Sequence, residues 1–467
     1  MSSESMTTTT TDAWKDGKKL AWLFSPALPM FALALVVLAH ATGFGLLYLA
    51  GPILLYGVIP FLDWMVGTDK SNPPESAVPD LEDDRYYRAI VYAYIPTQFV
   101  LTIFGAWIVV SSNLAVWELL SLVITVGLIN GVGINTAHEL GHKKGSGERW
   151  LAKLTLAPVA YGHFYVEHNK GHHKNVATPE DPASSKMGET FWAFLPRTMI
   201  GSLRSAWRIE KERLARLGRG PWTLQNENIQ AWLMTVVLFG ALTLLFGWAA
   251  LGFLLLQAFY GASLLEVINY IEHYGLLRQK EPSGRYERCT PAHSWNSNQI
   301  ITNVVLYQLQ RHSDHHANPT RRYQALRHFK ESPQLPFGYA GMLLIAYVPW
   351  LWFRQMDPLV VRHYDGDLTR ANLYPPRREA LLKKWHASSR EEATPVNFPG
   401  ESRVPTAQVE NATRFQCTDC GYVYDEKTGC EHEGFPAGTA WSAIPDDWPC
   451  PDCAVREKID FRPVSGH

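Results

Sequence analysis

The chain has 467 residues, 46% of them hydrophobic and 19% charged, with a formal net charge of −1 and a mean hydropathy of −0.12. Those averages suit a soluble protein of more than one domain, yet no Lys or Arg occurs in 20–67, 89–142 or 227–274. Apolar runs of that length exclude a chain that is soluble throughout, because soluble cores rarely contain them.

In chain order, a Ser/Thr-rich start at 1–19 predicts disorder and shows no cleavable signal-peptide pattern. At about 20 residues per crossing, the apolar blocks predict six transmembrane helices, at 20–41, 46–66, 89–110, 115–137, 228–246 and 249–273. The turns at 42–45, 111–114 and 247–248 carry no Lys or Arg, so the basic residues gather on the opposite side, which the positive-inside rule makes cytoplasmic. Six spans place both termini there as well. The acidic segment 69–88, with Pro73-Pro74, reads as a loop between the second and third spans.

After Glu118 the fourth span runs without a charge into His138-Glu139-Leu140-Gly141-His142. Two imidazoles four residues apart share one helical face, a metal-ligand arrangement at the membrane boundary. The next group, Glu167-His168-Asn169-Lys170-Gly171-His172-His173, is spaced so that a helix brings His168, His172 and His173 within reach of one centre, and Asp181-Pro182 ends that piece. Basic and apolar residues interleave over 204–219, the pattern of a solvated or headgroup-facing helix, and no nucleic-acid partner is expected. The sixth span delivers His273 inside Asn269-Tyr270-Ile271-Glu272-His273-Tyr274-Gly275, at the same depth as the other groups. His312, His315 and His316 follow on one predicted helical face. These nine histidines stand in four groups, whereas the rest of the 17 are scattered.

The apolar stretch 337–353, interrupted by Pro349, reads as an interfacial helix. A polar, Pro-containing linker at 385–413 then divides a membrane domain, 20–384, from a small domain at 414–463. The small domain holds Cys417-Thr418-Asp419-Cys420 and Cys450-Pro451-Asp452-Cys453, four thiolates that can bind zinc or one iron tetrahedrally. Cys289 and Cys430 are left as reduced thiols without a metal role. Gly421-Tyr422-Val423-Tyr424-Asp425, with the residues from Pro445 to Cys453, closely resembles rubredoxin over 415–461, which implies one redox-active iron. Ala454 stands where rubredoxins usually carry Gly.

His138-Glu139-x-x-His142 also matches the zinc-protease pattern, with Glu139 as general base. That reading uses two histidines of nine and gives an attached electron carrier nothing to do, since zinc has no redox chemistry. Nine imidazoles suit two metals of four or five ligands each, and a one-electron carrier on the same chain favours iron. The four histidine motifs resemble those of the membrane-bound alkane monooxygenases, over about 46–367. The resemblance implies an all-α membrane domain of about six spans with a histidine-rich cytoplasmic cap, in the inner membrane. It implies O2-dependent hydroxylation of the terminal methyl of a medium-chain n-alkane at two non-haem irons. Electrons would come through the rubredoxin iron from a rubredoxin reductase using NAD(P)H. Membrane fatty-acid desaturases share the histidine pattern and form the alternative.

Neutral imidazoles leave metal charge uncompensated, so Glu139, Glu167, Asp181, Glu272 and Asp314 are expected to support the ligands. An alkane has no polar handle, so only the shape of an apolar passage, most simply one open to the bilayer, can select it. In the alkane hydroxylase family a residue on the second span limits substrate length, and the resemblance over 55–63 places Leu55 at that position. Residues 415–461 hold ten acidic and three basic side chains, a net −7, against +8 over 137–373. Opposite fields predict that the small domain docks on its own membrane domain.

Overall fold

The computed structural model describes residues 14–386 and 413–464. Among these residues six helices are long and apolar enough to cross a membrane: Ala21–Thr42, Gly45–Val66, Arg85–Ser111, Val116–Gly141, Glu227–Phe246 and Trp248–His273, here spans 1 to 6. Spans 4 and 6 have 26 residues each. At 1.5 Å per residue they reach about 39 Å, against a hydrocarbon layer of about 30 Å, so about two turns of each lie outside it. His138 and His273 sit on the C-terminal turns of these helices, and His142 caps the first.

Glycine brings those two ends together. A Cβ on Gly127 would lie 2.5 Å from the carbonyl of Gln257, one on Gly131 2.9 Å from that of Gly261, and one on Gly261 2.7 Å from that of Gly127. Small residues four apart thus let the backbones of spans 4 and 6 touch, which in lipid is a main source of helix association. Deeper in the bundle, Asn130 Nδ2 donates to Gln257 Oε1 at 2.6 Å and to Thr102 Oγ1 at 3.0 Å, so the buried amides of this seam are paired.

Span 2 is irregular. It opens as a 3-10 turn, Gly45–Leu49, and contains a π-helical turn, Leu54–Val58, before the α-helix Ile59–Val66. Residues 14–19, expected to be disordered, are partly folded in: Asp16 accepts from the Trp22 indole and the Tyr87 hydroxyl, each at 2.8 Å. The predicted interfacial helix at 337–353 is two helices, Tyr339–Ala346 and Pro349–His363, broken where Pro349 begins the second. Tyr339, Met342, Ala346, Trp352 and Met356 are fully buried, so this hairpin forms core against the end of span 6 rather than lying on lipid. The predicted linker lies outside the described residues except for Trp385 and His386, which end the helix Arg378–His386, and Thr413.

The small domain is a three-stranded antiparallel sheet, order β2-β1-β3, of Arg414–Cys417, Val423–Asp425 and Phe461–Pro463. Tyr424, Phe435, Ile444, Trp448 and Phe461 close its core beside the cysteines.

Candidate metal centres

The nine grouped histidines converge as two sets. Nitrogens of His138, His142, His168, His173 and His315 lie within 4.8 Å of one another, and so do those of His172, His273, His312 and His316. Within the first set, His138 Nε2 stands 2.8 Å from His315 Nε2, and His173 Nε2 stands 3.0 Å from His315 Nε2 and 3.1 Å from His168 Nε2. Within the second, His312 and His316 Nε2 are 2.9 Å apart. The sets adjoin, with the His173 and His316 rings 4.5 Å apart.

Neither histidine triplet serves a single centre, as its spacing suggested. The first is wound as a π-helical turn, Glu167–His172, with wider turns than an α-helix. Positions five apart then align, so His168 and His173 face one set while His172 turns to the other. In the helix His312–Ala317, His312 and His316 are four apart and share one set, and His315 faces the other.

These sites suit metal on the evidence of their donors. All nine side chains are buried, and Nε2 of His142, His172 and His273 has no hydrogen-bond partner among the described residues. Burial, with neighbouring imidazoles, holds His142, His168, His173, His312, His315 and His316 well below the usual histidine range. They are therefore neutral, with lone pairs free to ligate. Two of the other ligand candidates are oriented from behind: His172 Nδ1 lies 3.0 Å from Asp181, which also accepts from Ser184 Oγ at 2.6 Å, and His273 Nδ1 faces the His293 carbonyl at 3.4 Å.

Of the five carboxylates expected to support ligands, Asp181 and Glu272 contact imidazoles. Glu272 Oε2 lies 3.1 Å from His312 Nε2, on the side that also faces His316, and so stands among the ligand atoms rather than behind them. Glu139 is turned away to Lys143, at 3.0 Å, and to the Tyr323 amide. Asp314 binds Arg321 at 3.1 Å and the Arg327 amide at 2.8 Å. Glu167 is buried beside Gly171 with Oε1 unpaired among the described residues, and touches no ligand. Helical spacing places a carboxylate near an imidazole but leaves open which side of the helix it faces. With Glu139 committed to Lys143, and His138 and His142 sharing a centre with three further imidazoles, the protease arrangement is absent.

In the small domain Cys417 and Cys453 Sγ are 3.8 Å apart, and Cys420 and Cys450 Sγ 3.5 Å. A tetrahedron with metal–sulfur bonds of about 2.3 Å has edges of about 3.8 Å, so the four thiolates fit one ion. This domain sits on the face where the histidines emerge. Glu433 binds Lys170 at 2.9 Å and Arg216 at 3.2 Å, Asp460 binds Arg288 at 2.5 Å, and the Cys420 carbonyl accepts from Lys144 Nζ at 3.1 Å. Lys174 Nζ donates to the Asp447 carbonyl at 2.8 Å. Lys144 and Lys174 lie two and one residues beyond His142 and His173, so the contacts reach the backbone that carries ligands of the five-histidine set.

On the bilayer side an apolar cavity of about 30 Å³ is lined from spans 1, 2, 4 and 6 and by Leu306, Tyr339 and Leu343, with Leu55 on its wall. Its upper end lies under the metal centres, because the Leu306 carbonyl accepts from Asn135, three residues before His138, at 2.7 Å.

Two buried histidine clusters at the end of a six-span bundle, with a four-cysteine electron-carrier domain docked above them, define a membrane-bound oxidoreductase of the histidine-motif class. The family model described as fatty acid desaturase matches residues 112–346, and that described as rubredoxin matches 414–461. The chain is 48% identical to the alkane 1-monooxygenase of Acinetobacter baylyi over 79% of its length and 91% of that protein. It is also 48% identical to alkane 1-monooxygenase 1 of Alcanivorax borkumensis, over 80% and 93% respectively. It is 29% identical to the xylene/toluene monooxygenase hydroxylase component of Pseudomonas putida, over 52% and 64%. The chain belongs to the alkane 1-monooxygenase family, and carries a rubredoxin domain on the same polypeptide.

Proposed function

We propose that the protein hydroxylates the terminal methyl group of medium-chain n-alkanes to primary alcohols, consuming O2, two electrons and two protons and releasing water. The observation that carries this reading is the pairing of the five- and four-histidine sets beneath the docked four-cysteine domain. Two irons would be held by His138, His142, His168, His173 and His315, and by His172, His273, His312 and His316, and a third by Cys417, Cys420, Cys450 and Cys453. When bound, the paired irons supply the redox chemistry that neither imidazole nor carboxylate offers. The protein's own part is to bury the nine imidazoles together, to fix His172 through Asp181, and to hold Leu55 on the wall of an apolar cavity that offers water no polar partner. Electrons would enter through the rubredoxin iron from a reductase using NAD(P)H, with the histidine face on the cytoplasmic side, where the basic residues gather.

Incubation with an n-alkane and, separately, an acyl substrate under labelled O2 tests this against desaturation, the activity named by the family model at 112–346. Label in a primary alcohol is expected. An unlabelled olefin would refute hydroxylation. Metal analysis of the intact protein and of a chain truncated before residue 413 should give three irons and two; stoichiometric zinc in the membrane domain would overturn the di-iron assignment.

A further inference from the structure

The cavity that Leu55 lines holds about 30 Å³, room for one or two water-sized bodies. An alkyl chain needs many times that, so its wall must part for substrate to enter. One place in that wall is built to part. Tyr56 Oη, on span 2, lies 2.8 Å from Tyr260 Oη on span 6 and 3.4 Å from Tyr347 Oη, which follows the helix Tyr339–Ala346. All three side chains are half-buried and belong to elements that line the cavity. Tyr347 comes four residues after Leu343, and Tyr260 eight before Ile268, so each continues a face whose earlier or later residue touches the cavity.

Three features set this cluster apart from ordinary packing. First, the three hydroxyls bond only to one another among the described residues: three O–H groups share two contacts, and Tyr56 makes both. Removing its hydroxyl therefore unties the other two. Second, Tyr56 sits in the π-helical turn Leu54–Val58, and a Cβ on its neighbour Gly57 would meet nothing within 4 Å. A π-turn is a rare interruption of an α-helix and is frequently found at functional sites. Third, the outer side is apolar and exposed: the Trp192 ring packs at a tilt against Tyr347 with centroids 5.9 Å apart and donates to its carbonyl at 3.0 Å, and Phe259 is exposed beside Tyr260.

We propose that Tyr56, Tyr260 and Tyr347 form the latch of a lateral port between span 2, span 6 and the helix Tyr339–Ala346, through which an n-alkane passes from the bilayer into the cavity. The inference rests on the alkane reading above. Breaking the two contacts at Tyr56 frees the π-turn to swing Leu55 and Tyr56 outward, and closing them seals the cavity behind the substrate. Tyrosine suits the task because its ring matches lipid and its hydroxyl finds a partner only when the port is shut.

The test reads entry without chemistry. Association of radiolabelled n-alkanes of several lengths with the unreduced full-length enzyme in lipid nanodiscs is timed for wild type, Tyr56→Phe, Tyr347→Phe and the double variant. Alkane turnover by the wild type, measured alongside, checks the alkane reading on its own. Tyr56→Phe should speed association about fivefold at every chain length, the factor given by the net worth of one hydrogen bond. Tyr347→Phe should do so less, and should add little in the Tyr56→Phe background, because Tyr56 is the hub. If Tyr56→Phe lowers the melting temperature, Tyr260→Phe replaces it. Unchanged association rates in the Tyr56 and Tyr260 variants overturn the latch. So does a gain confined to the longest alkanes, which would make the cluster the floor of the passage.

Discussion

Replacing Glu433 by Gln tests whether electrostatic docking of the rubredoxin domain carries the electron supply. Glu433 is 6% exposed, binds Lys170 at 2.9 Å and Arg216 at 3.2 Å, and its own carbonyl accepts from Arg216 at 2.8 Å. Gln keeps the shape and a hydrogen-bond acceptor but loses the charge at two largely desolvated contacts. Bonds to charged partners are worth about 1.5–3 kcal/mol and neutral ones about 0.5–1.5, so the change should cost the docked state about 1–3 kcal/mol, or 5- to 150-fold in its equilibrium constant. The domain is tethered, at an effective concentration on the order of millimolar, so at low salt docking should remain near saturation and the defect should be small. It should open up as ionic strength rises and the rim pairs at Lys144 and Arg149 with Asp452 are screened. The assay is stopped-flow reoxidation of the prereduced rubredoxin iron on mixing with O2 and alkane, over a salt series. The pH dependence has a definite sign. Burial pushes the Glu433 carboxyl up, but Lys170, His432 and Arg216 outweigh it and hold it below its ordinary value of 4.5. Its contribution is therefore whole above that pH and is lost as pH falls through the lowered pKa. Identical reoxidation rates and salt slopes for wild type and Glu433→Gln would refute the reasoning.

Asp181→Asn should weaken metal retention at the four-histidine set by about 10- to 100-fold, because His172 loses the carboxylate behind Nδ1; chelator titration followed by iron analysis checks it. Glu139→Gln should act on stability, since Lys143 is buried and left without its anion, costing about 3–5 kcal/mol; a large fall in melting temperature is expected, with activity per folded, iron-loaded protein retained. Ala454 has φ +56°, in the left-handed region, so Ala454→Gly should stabilise the small domain by about 1 kcal/mol, seen as a higher temperature for loss of the rubredoxin iron absorbance. Leu55→Trp should shift the product profile toward shorter alkanes and Leu55→Ala toward longer ones, by about 1–3 kcal/mol of discrimination at most; unchanged profiles in both, with activity retained, would remove Leu55 from the substrate path.

The spans were legible because hydrocarbon imposes one length and one composition on whatever crosses it, and the absence of Lys and Arg from three blocks reports that directly. The nine ligand candidates were legible for a related reason: histidine is uncommon enough that four groups of it stand out. Their division into five and four was not. A helical wheel assigns His168, His172 and His173 to one face, and only the π-helical turn Glu167–His172 sends His172 to the other centre. Nothing local in Asn169-Lys170-Gly171 announces that turn, although an added Cβ at Gly171 would meet Glu167 Oε1 at 2.8 Å, so the packing there leaves no room for a side chain. The carboxylates divide in the same way. Asp181 and Glu272 reach imidazoles and Glu139 and Asp314 reach cations, and the choice is made by Lys143 and Arg321, partners whose positions depend on the tertiary fold.

Charge counts likewise identified the two faces that meet without identifying the pairs. The pairs matter because they tie the small domain to segments that carry metal-ligand candidates. Lys144 joins it to the segment carrying His142 of the five-histidine set, and Lys174 to the one carrying both His172 of the four and His173 of the five, whereas Arg288 and Arg216 hold its edges at Asp460 and Glu433. Glu272 stands among the ligand atoms of the four-histidine set. The small domain therefore contacts segments that carry ligands of both sets, and Asn135, three residues before His138, ties the five-histidine set to the apolar cavity below. The 5/4 division follows from the fold, since each triplet sends two imidazoles to one side and one to the other, while His138 and His142 join the five and His273 the four.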